Sequence, residues 1–224
     1  MEDPAKARFL DLSHTVEDGM VTFKGLPAPH ICDYWTREAS AANYDGGESF
    51  QIGRIDMVAN TGTYVDAPFH RYADGKDLSE LPLESLAALD GIVVRAPFER
   101  GLAVDVPDFE GIDVRGKAVL VATGWDRNWR TEAYYDNHPF LTAEAARWLV
   151  AQGTAFVGID SHNIDDTRTR TRPVHSLLLG ADIPVGEHLA NLGELPDEGF
   201  RFSAVPPKIK GMGTFPVRAF AILT

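Results

Sequence analysis

The sequence predicts an α/β fold, and three observations carry that reading. Ala118-Val119-Leu120-Val121-Ala122 is a continuous apolar run, the pattern of a strand buried on both faces. Phe156-Val157-Gly158-Ile159-Asp160 is a second such strand. Between them, Thr142 to Val150 reads as a helix. Thr142 suits the N-cap because its hydroxyl can accept from a first-turn N–H. Glu144 lies in the positive first turn, and Gly153 is a natural stop. Strand, aromatic loop, helix and strand form a βαβ-like unit.

The other elements follow in order. Phe9 to Leu12 reads as a short opening strand, followed by turn-like Ser13-His14-Thr15 and Asp18-Gly19-Met20. His14 suits either a site lining or a loop histidine bonded to backbone. Residues 25–50 lack periodicity and carry Pro27, Pro29, Tyr34, Trp35 and Tyr44. A long irregular stretch of this kind fits a lid or a partner contact. Phe23 and Trp35 are candidates for stacking on a flat substrate, or else cover for the core. Leu83, Leu86 and Leu89 have helical spacing, with Pro82 at the start. Ile92 to Arg95 reads as a strand, and residues 98–116 as a loop or hairpin. Residues 161–173 carry Arg168, Arg170 and Arg172 in an otherwise acidic chain. That cluster fits attraction of a carboxylate or an acidic partner, or a plain solvated loop. Ile183 to Val185 and Val217 to Leu223 read as further strands. No linker or repeat divides the chain, so residues 1–224 are expected to form one domain.

Composition narrows the function classes. The 224 residues are 44% hydrophobic and carry a formal net charge of −12. Such an acidic balance argues against nucleic acid as a partner. No run approaches the roughly 18 apolar residues of a membrane span, and the start lacks a signal-peptide core. The expectation is a cytoplasmic protein, and the charge says nothing about a small substrate. One cysteine, Cys32, allows no internal disulfide and reads as a small buried hydrophobe. There is no Gly-x-Ser-x-Gly elbow, no Walker loop, no Gly-x-Gly-x-x-Gly and no Cys-x-x-Cys.

The chemistry concentrates in Asn60-Thr61-Gly62-Thr63-Tyr64-Val65-Asp66-Ala67-Pro68-Phe69-His70. Pro68 cannot donate to a strand ladder, so a strand should end there. Asp66 then lies near a strand end and His70 on the loop beyond, where working groups are usually held. In extended backbone, residues 60, 64 and 66 share a face. This stretch resembles the His-x-Gly-Thr-His-x-Asp-x-Pro-x-His motif of the cyclase family, whose best-understood members are bacterial kynurenine formamidases and isatin hydrolases. Gly62, Thr63, Asp66, Pro68 and His70 fit the motif. Asn60 and Tyr64 stand where it has metal-binding histidines. Asp11 to Met20, the stretch from Thr123-Gly124-Trp125-Asp126 to Asp160, and the twelve-residue spacing of His175 and Glu187 are also similar to the family.

The resemblance implies a mixed β-sheet curled toward a barrel with helices packed outside, and a homodimer or larger homo-oligomer. It implies that Asp66, His175 and Glu187 bind a divalent metal and that His70 is the general acid/base. Hydrolysis of a small amide, N-formyl amine or lactam would follow. Carboxylate and imidazole ligands suit Zn²⁺ or Mn²⁺. An amide and a phenol are poor ligands, so one ion per chain is expected, with Asn60 and Tyr64 turned toward substrate. His162 and His188 are alternative ligands, or else loop and surface histidines. A second reading keeps the pocket without metal, as a small-ligand binder.

Overall fold

A computed structural model describes residues 7–223. Its centre is the parallel arrangement that the apolar runs predict. Strands β1 (Arg8–Asp11), β2 (His30–Trp35), β3 (Ile52–Asp56), β4 (Tyr64–Asp66), β5 (Leu89–Arg95), β6 (Ala103–Val104), β7 (Ala118–Ala122) and β8 (Phe140–Leu141) come first, with helix α1 (Arg37–Ala41) between β2 and β3. Helix α2 (Ala143–Gln152), β9 (Phe156–Ile159), α3 (Pro173–Gly180), β10 (Val185–Glu187), β11 (Glu198–Ser203), β12 (Thr214–Pro216) and β13 (Phe220–Leu223) complete the order. Nine strands form one mixed sheet in the order β1-β13-β11-β5-β7-β9-β10-β4-β12. The β5-β7-β9-β10 segment is parallel. The flanking pairs are antiparallel.

Alternation along the strands separates two cores. Val119 and Val121 of β7 face one apolar cluster, with Ala145, Ala146 and Leu149 of α2 and Val174, Leu178 and Leu179 of α3. Ala118, Leu120 and Ala122 point the other way, onto Leu10, Val65, Phe156, Phe200, Phe202 and Ala221. The first cluster lies under helices. The second fills the concave side of the sheet, which curls as a half-barrel. Helix α2 ends as its caps require: the Thr142 hydroxyl accepts from Ala145 N–H, and Gly153 takes the left-handed conformation at φ 76°.

Three expectations change. Residues 25–50 are not irregular throughout, because β2 pairs with β3 in a two-stranded antiparallel ribbon. That ribbon leaves Ile31, Tyr34, Ile52 and Ile55 exposed. Leu83, Leu86 and Leu89 do not share a helix. A 3₁₀ turn covers only Leu83–Ser85, Ala88 is left-handed at φ 52°, and Leu89 opens β5. Leu86 and Leu89 are buried in the concave core, so packing overrides the local spacing. Cys32 is half-buried on the ribbon rather than enclosed. Residues 98–116 contain 3₁₀ turns and the short β6, which pairs in parallel with β8.

Candidate active site

The Asp66 stretch lies between two other strands, and register assembles the site. In β4, Val65 faces the concave core while Tyr64 and Asp66 face away from it. Strand β10 pairs on one side, placing Glu187 opposite Tyr64. Strand β12 pairs on the other, placing Thr214 opposite Asp66. The Tyr64 hydroxyl donates to Glu187 Oε2 at 2.5 Å, and the Thr214 hydroxyl donates to Asp66 Oδ1. Before the strand, Gly62 takes φ 65°, a conformation that suits glycine. After it, Pro68 opens a 3₁₀ turn that ends at His70. Gly213 lies against that turn; a Cβ there would come within 2.4 Å of the His70 backbone nitrogen.

His175 arrives on α3, a helix the sequence did not announce. Pro173 occupies its first turn. Asp165 accepts from the backbone N–H groups of Val174 and His175 at 2.8 and 3.0 Å, satisfying donors that a helix start leaves open. The same carboxylate accepts from His175 Nδ1 at 2.6 Å. That bond leaves His175 Nε2 to face the other acids. It lies 3.5 Å from Asp66 Oδ2 and 3.5 Å from Glu187 Oε1. Glu187 also accepts from Ile164 N–H at 2.6 Å.

The electrostatics are unbalanced. Asp66, Asp165 and Glu187 are all buried around one imidazole. Burial alone would lower the His175 pKa, yet Glu187, Asp165 and Asp66 outweigh it and raise it to about 10. Burial raises Glu187, while His175 pulls it down. Burial, then the charges of Glu187 and Asp66, hold Tyr64 well above its ordinary range. Asp66 Oδ2 is buried without a hydrogen-bond partner. One ligand atom each from Asp66, His70 and His175 lies within 4.8 Å of the others. An orphaned carboxylate oxygen amid surplus negative charge, with imidazole nitrogen at hand, fits a divalent cation.

Above these groups opens a cavity of about 210 Å³. Phe23, Asn60, Tyr64, His70, His175 and Glu187 line it, and Asp66 lies buried beneath. Asn60 and Tyr64 both line the cavity. Trp35 is not brought to the cavity: it packs edge-on against Phe50 on the β2–β3 ribbon, with centroids 5.1 Å apart. The arginine-rich loop is only partly solvated. Its first five residues are buried, and Arg172 joins Arg71 in the cavity wall. Thr214, Asp165 and Arg71 carried no signal in the sequence. Thr214 is 148 residues from Asp66.

A second buried cluster adjoins this one. His188, next to Glu187, is fully buried with φ 54°. Its Nδ1 lies 3.0 Å from the Tyr134 hydroxyl. His162 is also buried, so neither residue is a surface histidine. His138 bonds to Thr167 and to the Pro139 carbonyl. His14 stacks flat on Trp129 at 3.9 Å, while its backbone N–H donates to Thr63. Burial lowers the pKa of all four, His14 to about 4 and His162 to about 3.

The sequence profile of the family described as "Putative cyclase" matches residues 10–166. The chain belongs to the cyclase family. Kynurenine formamidase of Erythrobacter litoralis is 28% identical over 207 residues, covering 92% of this chain and 89% of that protein. Kynurenine formamidase of Bacillus cytotoxicus is 25% identical over 214 residues, covering 95% and 96%. Among solved structures, isatin hydrolase A from Labrenzia aggregata, bound to benzyl benzoate, superposes with a TM-score of 0.81. It is 24% identical, and the match covers 97% of this chain and 94% of that one. At that identity the likeness is one of fold.

Proposed function

We propose that this cyclase-family chain is a metal-dependent hydrolase that opens the C–N bond of a small amide, N-formyl amine or lactam. The observation that carries the reading is the buried set Asp66, His175 and Glu187, with an orphaned carboxylate oxygen, beneath a cavity that His70 lines. The kynurenine formamidase relatives supply the reaction class.

Asp66, His175 and Glu187 would hold the cation. When bound, it supplies polarisation of the carbonyl and a water acidic enough to attack near neutral pH. The remaining steps belong to side chains. Thr214 has one hydroxyl proton and donates it to Asp66, so its oxygen accepts from His70 Nδ1 at 2.9 Å. His70 Nε2 is then the proton acceptor. It takes the proton of the attacking water and returns it to the leaving nitrogen. The C–N bond breaks, giving a carboxylate and an amine. Asp165 fixes the His175 ring so that Nε2 is the ligand atom, the usual second role of a carboxylate behind a metal-binding histidine.

One ion per chain, Zn²⁺ or Mn²⁺, fits these donors. Tyr64 bonds to Glu187, and Asn60 lines the cavity. One departure from the family motif, Tyr64, thus holds Glu187. A dimer or larger assembly would cover the exposed apolar residues of the β2–β3 ribbon, since a two-stranded ribbon alone is only marginally stable. Among the described residues no helix is long and apolar enough to cross a membrane. The cytoplasm remains the proposed location.

The deciding experiment is metal analysis of protein purified without added metal or chelator, beside Asp66→Ala, with a screen of formyl amides and lactams. One Zn²⁺ or Mn²⁺ per chain, lost in the variant, with hydrolysis abolished by chelation, is the expected result. Protein that takes up neither ion in excess overturns the mechanism and leaves the binding role.

A further inference from the structure

The two oxygens of Glu187 have different surroundings. Register sets Tyr64 directly opposite Glu187, so both side chains leave the sheet on one face. The Tyr64 ring is buried and packs against the His188 ring with centroids 5.1 Å apart, which holds the phenol in place. A phenol has one O–H, and Tyr64 gives it to Glu187 Oε2 at 2.5 Å. Asn163 Nδ2 donates to the same oxygen at 3.4 Å. The other oxygen, Oε1, accepts from Ile164 N–H at 2.6 Å and faces His175 Nε2 at 3.5 Å. Two ligand atoms on one tetrahedral ion, with bonds of about 2.0 to 2.2 Å, stand about 3.3 to 3.6 Å apart. The gaps from His175 Nε2 to Glu187 Oε1 and to Asp66 Oδ2, both 3.5 Å, match that edge. Asp66 Oδ2, His175 Nε2 and Glu187 Oε1 are therefore the atoms set to bind, while Oε2 is already engaged by two donors.

We propose that Tyr64 is a positioning residue: its hydroxyl holds Glu187 Oε2, so that the carboxylate binds the ion through Oε1 alone and a fourth position stays open to water. The inference rests on the hydrolase reading and adds a residue to its site. A carboxylate can bind a cation through one oxygen or through both. Both oxygens on the ion would crowd the position that the attacking water needs. Tyr64→Phe keeps the ring and removes only the donor. Oε2 is then left with the longer bond from Asn163 and turns to the ion.

The test loads Co²⁺ into wild-type and Tyr64→Phe protein and reads the visible absorption, in which four-coordinate Co²⁺ absorbs more strongly than five-coordinate Co²⁺. Wild-type protein is expected to show the strong bands and Tyr64→Phe the weaker ones. Chelator competition should find Co²⁺ held no more loosely in the variant, while kcat on a formyl amide falls about 10- to 100-fold. A tyrosine that only supports the fold gives the opposite pattern, a looser ion with an unchanged spectrum. That pattern overturns the proposal and leaves the hydrolase reading standing. The spectral change in protein that hydrolyses no amide sustains the role of Tyr64 and sinks the hydrolase reading. Five-coordinate Co²⁺ in wild-type protein overturns the proposal even if Tyr64→Phe fails to fold. Wild-type protein that takes up no Co²⁺ overturns both.

Discussion

Glu187 and His188 are neighbours in sequence, both buried, and they enter opposite environments. Glu187 ends β10 among Asp66, Asp165 and His175. His188 turns in the left-handed conformation into a nest of Tyr134, Trp129, His14 and His162. On the first side charge is retained in the interior, because opposite charges, backbone N–H groups and a helix start hold it. On the second, desolvation outweighs the little that opposes it, so the imidazoles stay neutral. Burial alone expels charge. A buried excess of carboxylates therefore points to a cation, and a buried group of histidines does not.

The sharpest way to break that contrast is Asp66→Ala. Loss of the ion and a fall in kcat/KM of about 10³-fold or more are expected, measured by metal analysis and amide hydrolysis. His70→Ala should cost about 10²- to 10⁴-fold in kcat while the metal stays. Metal lost from His70→Ala would instead make His70 a ligand, which its distance from Asp66 allows.

Asp165→Asn removes the charge behind His175 without changing shape. A loss of about 3 kcal/mol in urea unfolding is expected, with metal affinity down about 10- to 100-fold. Unchanged affinity would mean that Asp165 serves α3 alone.

Acid should act on the two sides with opposite sign. His14 and His162 are held below 6.5 in the fold, at about 4 and about 3. Above pH 6.5 they are neutral folded or unfolded and cost nothing. As pH falls from 6.5 toward 4, the unfolded chain takes their protons first. Each such histidine then removes about 1.4 kcal/mol per pH unit. Asp160, raised by burial to about 7, opposes this, since the fold binds its proton first. Glu187 is raised in the same sense. His138 and His188 are lowered in the same sense as His14 and His162. His175, raised to about 10, adds stability below 6.5 that is lost as pH climbs through 10. Urea midpoints of chelated protein should therefore fall as pH climbs toward 10, while on the acid side the histidine loss and the carboxyl gain oppose each other. His162→Phe should flatten the acid limb.

The smallest effect belongs to Trp35→Ala, under about twofold in kcat/KM, because Trp35 packs on Phe50 away from the cavity. A large loss would bring the β2–β3 ribbon over the site, for example across a subunit contact.

What the chain spelled out by itself was local. The apolar runs of β7 and β9, the Thr142 and Gly153 caps of α2, and the Asp66-Ala67-Pro68-Phe69-His70 stretch rest on neighbours in sequence, where periodicity and capping act. Tertiary structure decided the rest. Leu89 left its apparent helix because β5 needed it in the concave core. His175 came to the site on α3, whose start Asp165 holds from ten residues away. Thr214 met Asp66 only through the β4–β12 register. His188 went inside beside Glu187 although its sequence setting looked exposed. Those outcomes depend on which strands pair and which charges find partners, and such contacts leave no periodic trace along the chain.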